Sequence, residues 1–153
     1  MHYKQLEAIL WSIAFPGFGQ FLNRDLIKGL TFLVLEIVIN LCSSFNRAII
    51  FSFNGEITKA IEVTNYQWLM FYPCVYMFGI WDAYKYSHPD VKPLAFLPFV
   101  ISAYFVTVGL IYSSKIKIMG MILGPVWMPI IFLLPGLVIG FLLRKIILVR
   151  THQ

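Results

Sequence analysis

The sequence predicts an all-α integral membrane protein with four transmembrane helices and a short, Pro/Gly-broken N-terminal segment, either re-entrant or a fifth helix. Three observations carry this expectation. Of the 153 residues, 59% are hydrophobic and only 12% charged, against roughly 25% charged in soluble domains. Apolar runs long enough for a hydrocarbon core of roughly 30 Å alternate with short polar turns. The net charge of +5 is scattered among those turns. That scatter suits the positive-inside rule and speaks against nucleic acid as a partner. One membrane domain is expected, made of residues 1–86, a C-terminal helical hairpin over 94–143 and a basic tail over 144–153.

The N-terminal segment starts amphipathic. Leu6, Ile9, Leu10 and Ile13 share one helical face, and Lys4, Glu7, Trp11 and Ser12 lie opposite. From Ala8 to Leu22 a helix would measure about 22 Å, short of a full crossing. Pro16 removes a backbone donor, and Gly17 and Gly19 admit torsions other residues avoid. In lipid such a break survives only where protein or water satisfies the freed backbone groups. The break is therefore expected to be packed beneath the rest of the chain. It is not expected to be a signal peptide, because Glu7 precedes a short apolar part without a small-x-small site.

Gly29 to Phe45 reads as the first span and carries one carboxylate, Glu36. Asn46 to Asn65 reads as a polar connection with an Asn54-Gly55 turn. Tyr66 to Trp81 is the second span, with aromatic residues at both ends. Lys85 to Pro93 is a polar turn, Leu94 to Tyr112 the third span, and Ser113 to Met119 a tight turn. Gly120 to Leu143 is the fourth span, expected to kink or break at Pro125, Pro129 and Pro135. Cys42 and Cys74, both within apolar runs, are expected to be free buried thiols.

Three groups of residues invite a functional reading. Asn23, Arg24, Asp25 and Lys28 share a membrane face with Asp82, where the carboxylate needs Arg24 or Lys28 as a partner. This is either a binding site or a structural clamp. Glu36, Asn40, Ser43 and Arg47 follow i, i+4, i+7, i+11 spacing, one stripe down a helix. The stripe lines either an ion path or an interhelical polar seam. No cation of the same helix reaches Glu36, so the carboxyl is expected to be protonated and hydrogen-bonded to a Tyr or Trp of another helix. Gly120 with Gly124, and Gly136 with Gly140, form small-xxx-small pairs that permit close packing, or contact with a second copy or a membrane protein partner.

Pro16-Gly17-Phe18-Gly19-Gln20, then Asn23, Lys28-Gly29 and later Trp81-Asp82-Ala83-Tyr84 resemble the prokaryotic relatives of the TM-two (two-transmembrane-helix) domain family. Those proteins are similar in a Pro-Gly-x-Gly-Gln break, a Tyr-Asn-Gly turn, a Lys-Gly helix start and an Asp-Ala-Tyr close. The resemblance runs as far as Tyr86. Leu22 stands where the family often has Tyr, and Arg24 where it often has Gly. Asn23, tolerant of left-handed torsions, is expected to let the turn form. The resemblance implies a bacterial multipass protein of the plasma membrane and supplies no activity. It gathers Pro16, Gly17, Gly19, Gln20, Asn23, Lys28, Gly29, Asp82 and Tyr84 as residues of interest.

The expected role is that of a non-enzymatic scaffold or accessory subunit acting through helix packing in the lipid bilayer. The alternative is an ion- or proton-coupled small-solute transporter or channel component using Glu36. No catalytic, cofactor-binding or metal residue is expected. His2, His88 and His152 are isolated in the sequence, and neither a Gly-x-Ser-x-Gly elbow nor a phosphate loop is present.

Sidedness follows from the basic residues. Arg24, Lys28, Lys85, Lys92, Arg144, Lys145 and Arg150 share one side, against Arg47, Lys59, Lys115 and Lys117 on the other. The richer side, with the C-terminus, is expected in the cytoplasm. With Cys42 and Cys74 replaced by Ala, a cysteine introduced at Asn54 should react with a membrane-impermeant thiol reagent in intact cells, and one at His152 should not. The reverse pattern would overturn the topology.

Overall fold

The computed structural model describes residues 2–151. His152 and Gln153, the end of the expected basic tail, lie outside the described residues. In chain order the elements are α1 (Tyr3–Ala14), α2 (Phe18–Leu22), α3 (Leu26–Ser43), α4 (Phe45–Phe53), α5 (Ile57–Val63), α6 (Tyr66–Leu69), α7 (Tyr72–Tyr86), α8 (Leu97–Tyr112), β1 (Lys117–Ile118), β2 (Met121–Ile122) and α9 (Gly124–Thr151). The architecture is all-helical apart from the small β1–β2 hairpin. Two helices, α3 and α9, are long and apolar enough to cross a membrane.

Local chemistry sets the boundaries. Asp25 caps α3 by accepting the Lys28 amide, and Ser44 ends that helix at φ 57°. Asn65 caps α6 through the amides of Gln67 and Trp68. Proline stands in the first turn of α7 and of α8, where its missing donor is harmless.

Several expected boundaries move. The connection Asn46 to Asn65 is largely helical: α4 and α5 fold back on each other around Asn54-Gly55 and cover the start of α9. Trp127 Nε1 donates to the Ser52 carbonyl, and the Trp127 and Phe53 rings lie 4.7 Å apart. The expected second span divides at Met70 and Phe71, just ahead of Pro73, into α6 and α7. The expected fourth span starts late, because Lys117–Ile122 form a hairpin whose two-residue tip, Met119 and Gly120, takes positive φ. It also ends late, since α9 continues through the basic residues to Thr151. Pro125 lies in its first turn, and the helical assignment runs unbroken through Pro129 and Pro135.

Many small polar side chains are buried beside the apolar core, and many large apolar ones are exposed. Gln5, Ser12, Gln20, Ser43, Ser102 and Ser113 are among the most deeply buried side chains, while Leu26, Ile27, Leu41, Leu134 and Val138 are exposed. On α1 the expected apolar face, Leu6, Leu10 and Ile13, points outward, and Gln5, Ala8 and Ser12 face the protein. Small side chains inside allow close backbone approach between helices. Cys42 and Cys74 are exposed on the apolar outer surface rather than buried. Only 28% of the apolar window of either α3 or α9 is buried, so neither is the enclosed core helix of a soluble protein.

α8 and α9 pack along each other as the main helix pair, with α7 on α8 and α1 on α7. Gly136 and Gly140 make the first contact possible: a Cβ on Gly136 would sit 2.8 Å from Ser102 Cα, and one on Gly140 2.5 Å from Pro98 Cα. This pair is used inside the chain. Gly120 lies at the hairpin tip with open space around it, and Gly124 at φ +71° meets Ile57, so these two do not form a helical pair. Gly140→Leu should lower stability by about 1–3 kcal/mol through overpacking against Pro98. Thermal unfolding in detergent checks this, with Val138→Leu at an exposed position of the same helix as the silent control.

Candidate functional site

The N-terminal segment folds as a hairpin with both ends at one end of the molecule. The His2 ring stacks on His88, with centroids 3.7 Å apart. At the other terminus of the hairpin, Asn23 Nδ2 donates to the Ala83 carbonyl over 2.7 Å. Its tip, Phe15 to Gly17, lies deeper, where the Tyr76 hydroxyl donates to the Ile13 carbonyl. Gly17 takes φ 101°, and a Cβ there would meet the Gly29 carbonyl oxygen at 2.5 Å. Cβ atoms on Gly19 and Gly29 would collide with Ser12 and Ala83, and with the Phe21 ring, respectively. The glycines of the motif thus let α2 sit between α1, α3 and α7 at backbone distance.

Polar bonds lock this hairpin to α7. Gln20 Nε2 donates to the Gly79 carbonyl at 2.8 Å and to Asp82 Oδ2 at 3.2 Å. Lys28 Nζ lies 3.2 Å from Asp82 Oδ1 and 3.2 Å from Asp25 Oδ2. It also stands 3.9 Å above the Tyr86 ring, a favourable cation–π position. The Lys28 backbone amide holds the Asp25 carboxyl below its ordinary range. Asp82 is buried with both oxygens engaged, as a carboxylate at low dielectric requires.

Lys28 is therefore the cation at Asp82, and Arg24 is exposed. The turn forms differently from expectation: Arg24 itself takes φ 62°, where the family often has Gly, while Asn23 has φ −77°. Pro16 is buried at the hairpin tip. Tyr84 stands apart from the polar cluster and packs against Trp81 and Phe99.

A second polar region lies beyond the hairpin tip. Glu36 is buried on α3, and the Tyr72 hydroxyl donates to Glu36 Oε1 over 3.1 Å. An open cavity of about 290 Å³ is walled here by the tip (Ile13 to Pro16), Glu36, Asn40, Phe45, Tyr72 and Tyr76. Asn40 exchanges hydrogen bonds of 3.0 and 3.2 Å with Asn46, tying α3 to α4. The expected polar stripe ends at Ser43. Ser44 at φ 57° turns the chain, so Arg47 belongs to α4 and leaves the α3 face. The Tyr expected as the partner of Glu36 is Tyr72 of α7. Sequence reasoning did not single out Tyr76 or Phe45, because their approach depends on how α4 and α7 pack.

The histidines, isolated in sequence, meet in space: ligand atoms of His2, His88 and Asp90 lie within 4.8 Å of one another. The two rings stack at 13°, so their in-plane lone pairs run side by side instead of converging, and His88 Nδ1 already accepts the Asp90 amide at 3.1 Å. The arrangement docks the start of α1 on the α7–α8 connection. A larger apolar groove of about 400 Å³ lies between α7 and α8, bounded by Cys74, Phe78, Trp81 and Tyr104.

The chain matches no family model, no curated protein and no solved structure.

The Lys28–Asp82 pair is testable by a double-mutant cycle with Lys28→Met and Asp82→Ala. Asp82→Ala should lower detergent stability by about 1–3 kcal/mol, since it removes one of the two partners of both Lys28 and the Gln20 amide. The double variant should be clearly less unstable than the sum of the two single changes. Strict additivity would show that the two side chains act independently.

Proposed function

We propose that this is a small multipass membrane protein whose working site is the Glu36 cavity, acting as a non-enzymatic carrier or channel component for a small solute. In this reading α3, the α6–α7 pair, α8 and α9 cross the membrane, and α1–α2 form a re-entrant hairpin entered from the cytoplasm. Helix lengths support the crossings of α3, about 27 Å, and α9, about 42 Å, beside a hydrocarbon core of roughly 30 Å, while α8 is apolar but shorter. The return of both hairpin ends to one end of the bundle supports re-entry over a fifth crossing. The excess of basic residues at that end supports a cytoplasmic location. Break and site are linked, because a hairpin that stops partway leaves room above its tip.

The observation that carries the functional reading is a buried carboxyl on the wall of an open cavity. An intramembrane ionisable group facing a cavity is the usual mark of a substrate or ion path. The scaffold reading is favoured by a different observation, the dense Gly17, Gly19, Gly29 and Lys28–Asp82 packing, which needs no solute. The resemblance to TM-two relatives suits both.

Glu36→Gln separates the two. It keeps an acceptor for Tyr72 and removes the exchangeable proton, so the variant should fold while losing function. In proteoliposomes containing a pH-sensitive dye, wild-type protein should dissipate an imposed proton gradient at least tenfold faster than the variant. Equal rates with equal folding would remove Glu36 from the working residues and leave the scaffold reading standing.

A further inference from the structure

We propose that the Glu36 cavity binds a small organic ammonium ion; this rests on the reading of that cavity as the working site. Four features of the wall point the same way. Its only charged side chain is the Glu36 carboxyl, with no Lys, Arg or His among the lining residues. An anion would therefore meet a carboxyl with no counter-charge. The C-terminal end of α1 borders the cavity at Ile13 and Ala14, and the last turn of a helix carries partial negative charge from its aligned peptide dipoles. The rings of Phe45, Tyr72 and Tyr76 form part of the wall. Tyr72 and Tyr76 stack at 5.4 Å, and Phe45 and Tyr72 lie 5.0 Å apart. Aromatic walls beside a carboxylate recognise ammonium groups through cation–π attraction together with charge.

The fourth feature separates an organic cation from a metal ion. Hard cations need six or more oxygen ligands, and the oxygens here are largely committed. Glu36 Oε1 accepts from Tyr72, the Ile13 carbonyl from Tyr76, Asn46 Oδ1 from Asn40 Nδ2, and Asn40 Oδ1 from the Asn46 backbone amide. One carboxylate with ring faces suits an ion that keeps a weak hydration shell and an apolar body. The rim is apolar as well, with Ile13, Ile37 and Leu41 exposed beside the mouth. The ligand class is thus an amphiphilic amine, reaching the site from the lipid phase. Any proton Glu36 carries leaves to water as the ammonium enters. The other titratable groups facing the carboxyl are the Tyr72 and Tyr76 phenols on α7; the lining residues of α1 and α4 contribute none.

The ammonium can come from a free amine or from a phosphatidylethanolamine headgroup, and two arms distinguish them. Protein purified in a maltoside detergent is dialysed against phenethylamine, with empty micelles as the baseline and ethylbenzene as the uncharged probe. Saturable phenethylamine binding is expected, weakened at least tenfold by Glu36→Gln, with ethylbenzene no tighter than baseline. Added phosphatidylethanolamine should compete where the headgroup is the source, while phosphatidylglycerol should not. Persistent phenethylamine binding in its presence marks the free amine. Equal binding of the two probes, or binding unchanged in Glu36→Gln, would overturn the proposal, and a thermal unfolding midpoint of Glu36→Gln that matches the wild type guards against misreading an unfolded variant. A Glu36→Gln variant that loses proton flux although the wild type binds no amine would sink the ligand class alone. Unchanged flux in that variant would sink the underlying reading.

Discussion

An interrupted backbone in a closely packed segment must have its polar groups satisfied, and here the Ile13 carbonyl accepts the Tyr76 hydroxyl of α7 while the Phe15 and Gly17 carbonyls accept the Phe18 and Phe21 amides. The chain breaks at Pro16 and Gly17, reverses, and returns along α2. Gln20 and Asn23 then donate to the carbonyls of Gly79 and Ala83. Asp82 takes the second hydrogen of the Gln20 amide and the Lys28 ammonium. Each bond needs α2 close to α7, and the absence of a Cβ at Gly19 supplies that distance. Polar bonds and small residues are two halves of one constraint. The bonds hold only at close approach, and close approach is tolerable only because the bonds replace those lost to water.

The same economy of side-chain volume runs through the second half. Gly136 and Gly140 bring α9 against Ser102 and Pro98 of α8, leaving the larger Leu, Ile and Val side chains to the outer surface. Packing between α8 and α9 therefore rests on small residues that bring the backbones together. The arrangement separates the roles of the two ends. The Asp82 end carries charges and fixes the hairpin. The opposite end, where α4 and α5 cover the start of α9, carries the Phe53–Trp127 contact and an exposed Lys59–Glu56 ion pair.

The cavity at Glu36 is a geometric consequence of the hairpin. A segment of 12 helical residues followed by one of 5 cannot fill the depth that α3 fills with 18. The space left above its tip is closed by α4 and α7, and Glu36 faces into it from α3. The clamp and the cavity are therefore coupled through α2: the first decides how deep the tip reaches, and the second is what that depth leaves open.

Composition and hydropathy were enough to determine the helical class, the apolar stretches and the need for a partner at Asp82. A carboxylate among apolar residues and a Pro-Gly break are local facts with local physical consequences. The sequence also made Glu36 conspicuous as a lone carboxyl, with a Tyr or Trp as its partner. Tertiary structure decided which ones. It selected Lys28 over Arg24, because Arg24 took the left-handed turn and pointed away. It ended the α3 stripe at Ser44, a torsion no side-chain periodicity encodes. It turned α1 so that Gln5, Ala8 and Ser12 faced inward, because periodicity marks two faces of a helix without saying which one the protein covers. It also brought His2 to His88 across the whole N-terminal half. Local chemistry fixes what a segment needs, and long-range packing alone fixes which neighbour supplies it.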